Sequence, residues 1–207
     1  MGRGLLLVVS GPSGAGKGTV CRELRRRVPS LKYSISATTR PPRPGEQQGV
    51  DYYFVSEEEF LRFRAENRLL EWARIHDHYY GTPRQPVVEA LTRGEDILLE
   101  IDVQGAKQVK EGLPEAVTVF LLPPSYQELC RRLRTRGTED AEQIGRRLQV
   151  ARGEMEEAVH YDYLVVNDYV NLAADRIEAI ILAEKCRPRR AMPDWLLEGK
   201  GNEQTDH

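Results

Sequence analysis

"LLLVVSGPSGAGKGTV" (Leu5–Val20) is the stretch that decides the fold. Its aliphatic run, Leu5 to Ser10, stops at Gly11 and Pro12 and reads as a buried strand. From Lys17 onward, Val20, Leu24 and Val28 recur at helical spacing, and Pro29 ends the run. Between strand and helix stands Gly11-x-x-x-x-Gly16-Lys17, the pattern of a loop that cradles phosphate. Gly11, Pro12 and Ser13 open that loop. The backbone N–H groups of Gly14, Ala15, Gly16 and Lys17 can converge on phosphate oxygens at a helix N-terminus. Lys17 adds a full positive charge that can follow a transferred phosphoryl group. One position departs from the pattern: Gly18 stands where a hydroxyl for magnesium is usual. Thr19 brings a hydroxyl one residue later, about 100° further round the helix, which suits a phosphate oxygen better than the usual metal position.

A chain of 207 residues suffices for one sizeable domain, or a domain with mobile insertions. Apolar residues make up 40% and charged residues 30%, the balance of a soluble globular protein. The 30 basic and 32 acidic residues leave a formal charge of −2. The whole molecule therefore does not attract polyanions, no nucleic-acid partner is expected, and an anion site must be built locally. The cysteines Cys21, Cys130 and Cys186 are far apart and form no C-x-x-C pair, as expected of free thiols in a reducing compartment. No apolar run approaches a membrane span, and the segment before Gly11 is too short for a signal peptide. Leu6 stands where N-myristoylation needs Ser or Thr. These features predict a cytoplasmic protein with no membrane partner. They leave monomer or homo-oligomer open.

The rest of the chain alternates. "YSISATT" (Tyr33–Thr39) reads as one short strand, "RPPRPGEQQG" (Arg40–Gly49) as a proline-stiffened loop, and "DYYFVS" (Asp51–Ser56) as a strand. Ser56 and Glu59 have capping-box spacing at the start of a helix. "LLEWARI" (Leu69–Ile75) is a strand, and "TPRQPVVEALTRG" (Thr82–Gly94) a helix. "DILLEID" (Asp96–Asp102) is a second buried strand, followed by a helix near Ala106–Glu111 and strand "AVTVFLL" (Ala116–Leu122). Helices are expected from Ser125 and over about Ala141–Val159, then strand "YDYLVVND" (Tyr161–Asp168) and helix "LAADRIEAIILAEK" (Leu172–Lys185). The tail from Arg187 is polar and expected to be loosely ordered. The pattern predicts an α/β fold around a mostly parallel sheet flanked by helices. The short half-polar strands near Ser34–Tyr80 break the rhythm and predict a smaller subdomain.

Four further constellations carry chemistry. Glu100 and Asp102 close an aliphatic strand two residues apart, so both point to one face at the end where such sheets bind ligands. Arg40 and Arg43 bracket two prolines, and two guanidinium groups on a stiff loop suit a dianionic phosphate; Tyr52 and Tyr80 can add neutral donors. A solvated basic turn fits the same residues. Glu71 sits between apolar neighbours, where a charge is costly unless paired. One carboxylate can accept both the ring N–H and the amino group of guanine, a donor pair that adenine lacks; an exposed strand glutamate is the plainer reading. Arg131, Arg132, Arg134 and Arg136, with Arg146 and Arg147 beyond, are interleaved with Glu139, Asp140 and Glu142. They fit a solvated helix face and a mobile lid over a triphosphate equally well.

The ordered series "GPSGAGKGT", "SATTRPPRPGE", "GVDYYFVS", "EWARIHDHYYGT", "LLEIDVQGA", "RGTE", "RRL" and "VVND" closely resembles guanylate kinases over about residues 4–186. The resemblance implies a phosphate-loop kinase core (4–34, 83–125 and 160–186), a GMP-binding subdomain (about 35–82) and a mobile helical lid (about 126–159), with a tail at 187–207. It implies that Arg40, Arg43, Tyr52 and Tyr80 hold the GMP phosphate. Ser36, Glu71, Thr82 and Asp102 face the guanine end, with Glu100 beside them. Family members often have Ser where Thr82 stands, and the hydroxyl is kept. Lys17, Arg136 and Arg147 gather at the ATP phosphates, and Asn167 and Asp168 lie near adenine. The implied reaction passes a phosphoryl group in line from ATP to GMP, giving ADP and GDP. Magnesium enters with ATP, held by nucleotide phosphates and water rather than by a direct protein ligand. Two neighbouring readings share part of the pattern. Another nucleoside-monophosphate or small-metabolite kinase would show the same loop. A non-catalytic, guanylate-kinase-like binding module typically lacks an intact one.

Overall fold

A computed structural model describes residues 4–75, 77–135 and 141–191. Two sheets organise them. The larger has five strands, β1 (Leu6–Ser10), β2 (Lys32–Tyr33), β7 (Ile97–Glu100), β8 (Val117–Leu122) and β9 (Tyr163–Val166), in the order β2-β7-β1-β8-β9. Every pairing in it is parallel, with Leu7 opposite both Leu98 and Val117. β1 is buried along its whole length, which explains its unbroken aliphatic sequence. On one face lie α1 (Lys17–Arg27) and α7 (Val170–Lys185), which close a core of Val20, Leu24, Ile177 and Ile181 on Leu7 and Val9. On the other, α3 (Arg84–Thr92) and α4 (Val103–Gly112) pack Val87, Ala90, Ala106 and Val109 against Leu6, Val8 and Leu99.

The smaller sheet has the order β4-β3-β6-β5, built from β3 (Ala37–Thr38), β4 (Tyr53–Phe54), β5 (Leu69–Ile75) and β6 (His78–Pro83). β5 and β6 form an antiparallel hairpin, and β3 and β4 pair in parallel. Helix α2 (Glu57–Ala65) covers it, with Phe60 buried beside Ala37 and Leu69. Ser56 Oγ accepts the Glu59 N–H at 3.1 Å, the N-cap read from spacing. α5 (Tyr126–Thr135) and α6 (Ala141–Glu156) share their own cluster of Leu129, Leu133 and Ala151. A 3-10 turn follows over Glu157–His160, so the last turn expected of α6 is tighter than α-helical. Among the described residues, no helix is long and apolar enough to cross a membrane.

Three expectations change. "YSISATT" is not one strand: β2 belongs to the large sheet and β3 to the small one, so the chain crosses between sheets at Ser34–Ser36. Alternation registers strand character but not which sheet a strand joins. Thr82 and Pro83 lie in β6 rather than in a helix, and α3 starts at Arg84. The pairing of Glu71 with Thr82 across the hairpin outweighs the helical pattern that follows. The first tail residues are tied down: α8 (Pro188–Ala191) follows α7, and Arg187, Arg189 and Arg190 pair with buried Glu184 at 2.7, 3.4 and 2.8 Å. Burying a carboxylate requires such partners.

Candidate active site

The phosphate loop leaves the C-terminal end of β1 and opens α1. Gly16 caps α1 with φ 91°, and a Cβ there would lie 2.5 Å from Asn167 Nδ2, so a side chain fits neither the backbone nor the space. Lys17 Nζ donates to the carbonyls of Gly11 (2.6 Å) and Pro12 (3.3 Å), which folds the ammonium back along the loop. Burial pulls this lysine below its ordinary pKa, while the carboxylates of Glu154, Glu100 and Asp102 oppose that shift. The loop is braced from behind. Asn167 Nδ2 donates to the Ala15 carbonyl at 2.8 Å, and Arg132 donates to the carbonyls of Ala15 (3.3 Å) and Asn167 (3.1 Å). Asn167 Oδ1 is buried and accepts no hydrogen bond among the described residues.

Glu100 ends β7, and Asp102 caps α4 by accepting the Gly105 N–H at 2.8 Å. Glu100 Oε2 accepts from Tyr33 OH at 3.3 Å. A Cβ placed on Gly18 would lie 3.3 Å from Glu100 Oε1, so the carboxylate borders the space where the loop pattern has a hydroxyl side chain. Both acids line a cleft of about 750 Å³ together with Ser13, Lys17, Ser36, Tyr52, Glu71, Tyr80, Arg146 and Arg147. The sequence-predicted shared face of Glu100 and Asp102 is therefore present, although Asp102 lies past the strand.

Glu71 is only 4% exposed. Its Oε1 accepts from the Thr82 hydroxyl at 2.6 Å. Burial pushes its carboxyl up to about 7, the Thr82 hydrogen bond opposes, and the nearby Asp102 carboxylate adds to the rise. The plain reading of an exposed strand glutamate is excluded. Arg40 lies against Tyr52, which lines the cleft: its guanidinium is 5.4 Å from the centre of the Tyr52 ring, and its Nη2 donates to both oxygens of Glu46 at 2.9 Å. Arg43 is exposed and donates its backbone N–H to Glu46 at 2.7 Å, so Glu46 gathers the two arginine positions of the stiff loop. Asp168 is exposed and accepts from Tyr169 N–H and Arg176. Arg136 lies outside the described residues.

The arginine-rich segment divides in two. Arg131 pairs with Glu128 along α5, the solvated-face reading, whereas Arg132 makes the same pairing but turns its remaining donors onto the phosphate loop and Asn167. Arg146 and Arg147 on α6 line the cleft, and Arg147 donates to Ser13 Oγ at 2.7 Å. Sequence reasoning missed Glu154, whose Oε2 accepts the Ser13 N–H at 3.3 Å. Its signal was spacing: Glu154 follows Arg147 by two helical turns and so shares its face. It also missed Glu46, although the charge inside "RPPRPGE" adjoins both arginines.

The comparisons agree with this geometry. The family model for guanylate kinase matches residues 3–184. The guanylate kinase of Desulfitobacterium hafniense is 54% identical over 187 residues, covering 90% of this chain and 94% of that protein. That of Carboxydothermus hydrogenoformans is 53% identical over 199 residues, covering 96% and 98%. The crystal structure of guanylate kinase from Anaplasma phagocytophilum superposes with a TM-score of 0.80 at 35% identity, covering 97% of this chain and 96% of that one. With a braced phosphate loop facing a buried carboxylate across one cleft, the chain belongs to the guanylate kinase family.

Proposed function

We infer that this chain transfers the γ-phosphoryl group of ATP to the phosphate of GMP, giving ADP and GDP. The observation that carries the reading is Glu71: a buried carboxylate, oriented by Thr82, lining the same cleft as Lys17. Two carboxylate oxygens match the adjacent N–H donors of guanine, and Thr82 holds one of them in place. Ser36 and Asp102 complete the base end, while Tyr52, Tyr80, Arg40 and Arg43 receive the GMP phosphate. Arg40 then exchanges Glu46 for a dianion, a stronger partner of the same geometry.

The loop N–H groups from Gly14 to Lys17 bind the ATP phosphates, and Arg147, already on Ser13, adds its charge to them; the resemblance implies the same role for Arg136, which lies outside the described residues. Asn167 braces the loop through the Ala15 carbonyl and in this reading lies near adenine. Asp168 stands at the same edge. The residues fit magnesium carried in on the nucleotide. Glu100 and Asp102 line the cleft beside Lys17, and among the described residues no group of three or more ligating side chains could hold a bare ion. When bound, that ion neutralises phosphate charge. Glu100 or Asp102 would orient its water shell.

No strong general base is needed, because a phosphate monoester with its second pKa near 6 is largely ionised at neutral pH. The barrier lies in bringing two anionic phosphates together; Lys17 and the arginines compensate their charge, and closure excludes water. Residues 4–34, 83–125 and 160–186 act as the core, about 35–82 as the GMP-binding part and about 126–159 as the lid. The three free thiols suit a reducing cytoplasm. A turnover panel of GMP, AMP, UMP and CMP, coupled to ADP release, tests the reading. GMP is expected to be preferred; preferred use of AMP or a pyrimidine nucleotide overturns it.

A further inference from the structure

The strand that carries Glu71 joins two cores. Leu69 packs with Phe60 in the small-sheet core, whereas Leu70 joins the cluster of Ala106 and Val109 on α4. The β5–β6 register shifts between Leu69 and Glu71, a bulge that breaks the alternation of side chains. Strict alternation would turn Glu71 toward the Leu69 side; instead its carboxylate lies against α4. Two α4 residues receive it there. At Gly105, a Cβ would lie 2.4 Å from Glu71 Oε2 and 3.0 Å from Glu71 Cδ. One turn on, Gln108 clamps the next strand residue: its Oε1 accepts the Trp72 N–H at 3.1 Å, and its Nε2 donates to the Trp72 carbonyl at 2.8 Å. β5 is an edge strand, so this side chain stands in for a strand partner beside Glu71.

We propose that Gly105 and Gln108 are positioning residues for base selection: Gly105 leaves the space that the Glu71 carboxylate fills, and Gln108 pins its strand. Glycine inside a helix is otherwise unfavourable relative to alanine. Its presence in α4, with Glu71 in the space, points to a use for the missing methyl group. The proposal rests on the reading of Glu71 as the acceptor of the guanine donors.

In Gly105→Ala the methyl group meets the buried, Thr82-bound Glu71 carboxylate, so the melting temperature is expected to fall somewhat, and a substrate ratio rather than stability is the readout. IMP, which lacks the amino group of guanine, is the probe. The kcat/KM preference for GMP over IMP is expected to fall about tenfold, mostly through KM for GMP, as when one polar contact of a base site is misplaced. Gln108→Met, similar in length but without the amide that both donates to and accepts from Trp72, is expected to lower the same ratio. If both variants keep the wild-type GMP-to-IMP ratio, the positioning proposal is overturned, whatever happens to their stability. Glu71→Gln, run beside them, tests the underlying reading: an unchanged ratio there removes Glu71 from the base site. A changed ratio there with unchanged ratios in the α4 variants overturns the positioning role alone.

Discussion

The carboxylate of Glu154 on α6 accepts the backbone N–H of Ser13 in the phosphate loop at 3.3 Å, two helical turns beyond Arg147, which grips the Ser13 hydroxyl. Helix and loop are thus joined through the N–H of a loop residue, with Lys17 close enough for its charge to act on the same carboxylate. A nucleotide phosphate entering the loop meets an anion already there. Glu154→Gln removes that charge and keeps the shape. The KM for ATP is expected to fall by about threefold or more, because the nucleotide no longer displaces a competing state. An unchanged or higher KM would show that Glu154 does not oppose nucleotide entry.

Lys17 is the charge at the centre of the loop, buried and held by two loop carbonyls. Lys17→Ala is expected to reduce turnover at least about a hundredfold, the usual cost of losing a preorganised charge stabiliser. Retained turnover in the ADP-release assay would place the transfer elsewhere.

Glu71→Gln turns one good acceptor into a donor-bearing amide. The preference for GMP over AMP is expected to erode by about tenfold or more, read as a ratio of kcat/KM values. An unchanged ratio would count against base reading by this residue.

The raised Glu71 carboxyl also gives a pH dependence. Its folded-state pKa of about 7 lies above the ordinary 4.5, so the folded form holds the proton more tightly. The stability this adds is full below the unfolded value and is lost as pH rises through about 7. Denaturant melts at pH 5 and pH 8 should show wild type losing on the order of 3 kcal/mol relative to Glu71→Gln. Parallel curves for the two proteins would contradict the buried, protonated carboxyl. GMP binding should show the opposite trend. Accepting two N–H donors requires the ionised form, so KM for GMP is expected to fall as pH rises through about 7, and less so in Glu71→Gln. The GMP phosphate titrates near 6 in both proteins, so their difference isolates the carboxyl.

The phosphate loop and the large sheet were legible in the sequence because their signals are local. A strand buried on both faces must be continuously apolar, and "LLLVVS" is; a phosphate cradle must be glycine-rich and open a helix, and "GPSGAGKG" does. The missing hydroxyl at Gly18 was visible in the same line, but its neighbour was not: Glu100, distant in sequence, borders that space only once β1 and β7 pair. The small sheet was less legible. Its strands are short and half-polar, and the fate of Thr82 turned on its pairing with Glu71 across a hairpin.

The sequence by itself determined the class of fold, the phosphate loop, the candidate acids Glu100 and Asp102 and the ordered motifs that resemble the family. These depend on composition and spacing within single elements. Only the tertiary structure decided which charges face the cleft. It buried Glu71 against Gly105, set Glu154 on Ser13, left Arg131 along the side of α5 while turning Arg132 onto the phosphate loop, and tied Arg40 to Glu46. The physical reason is that a charged side chain is defined by its partners and its solvent, and those are supplied by residues remote along the chain.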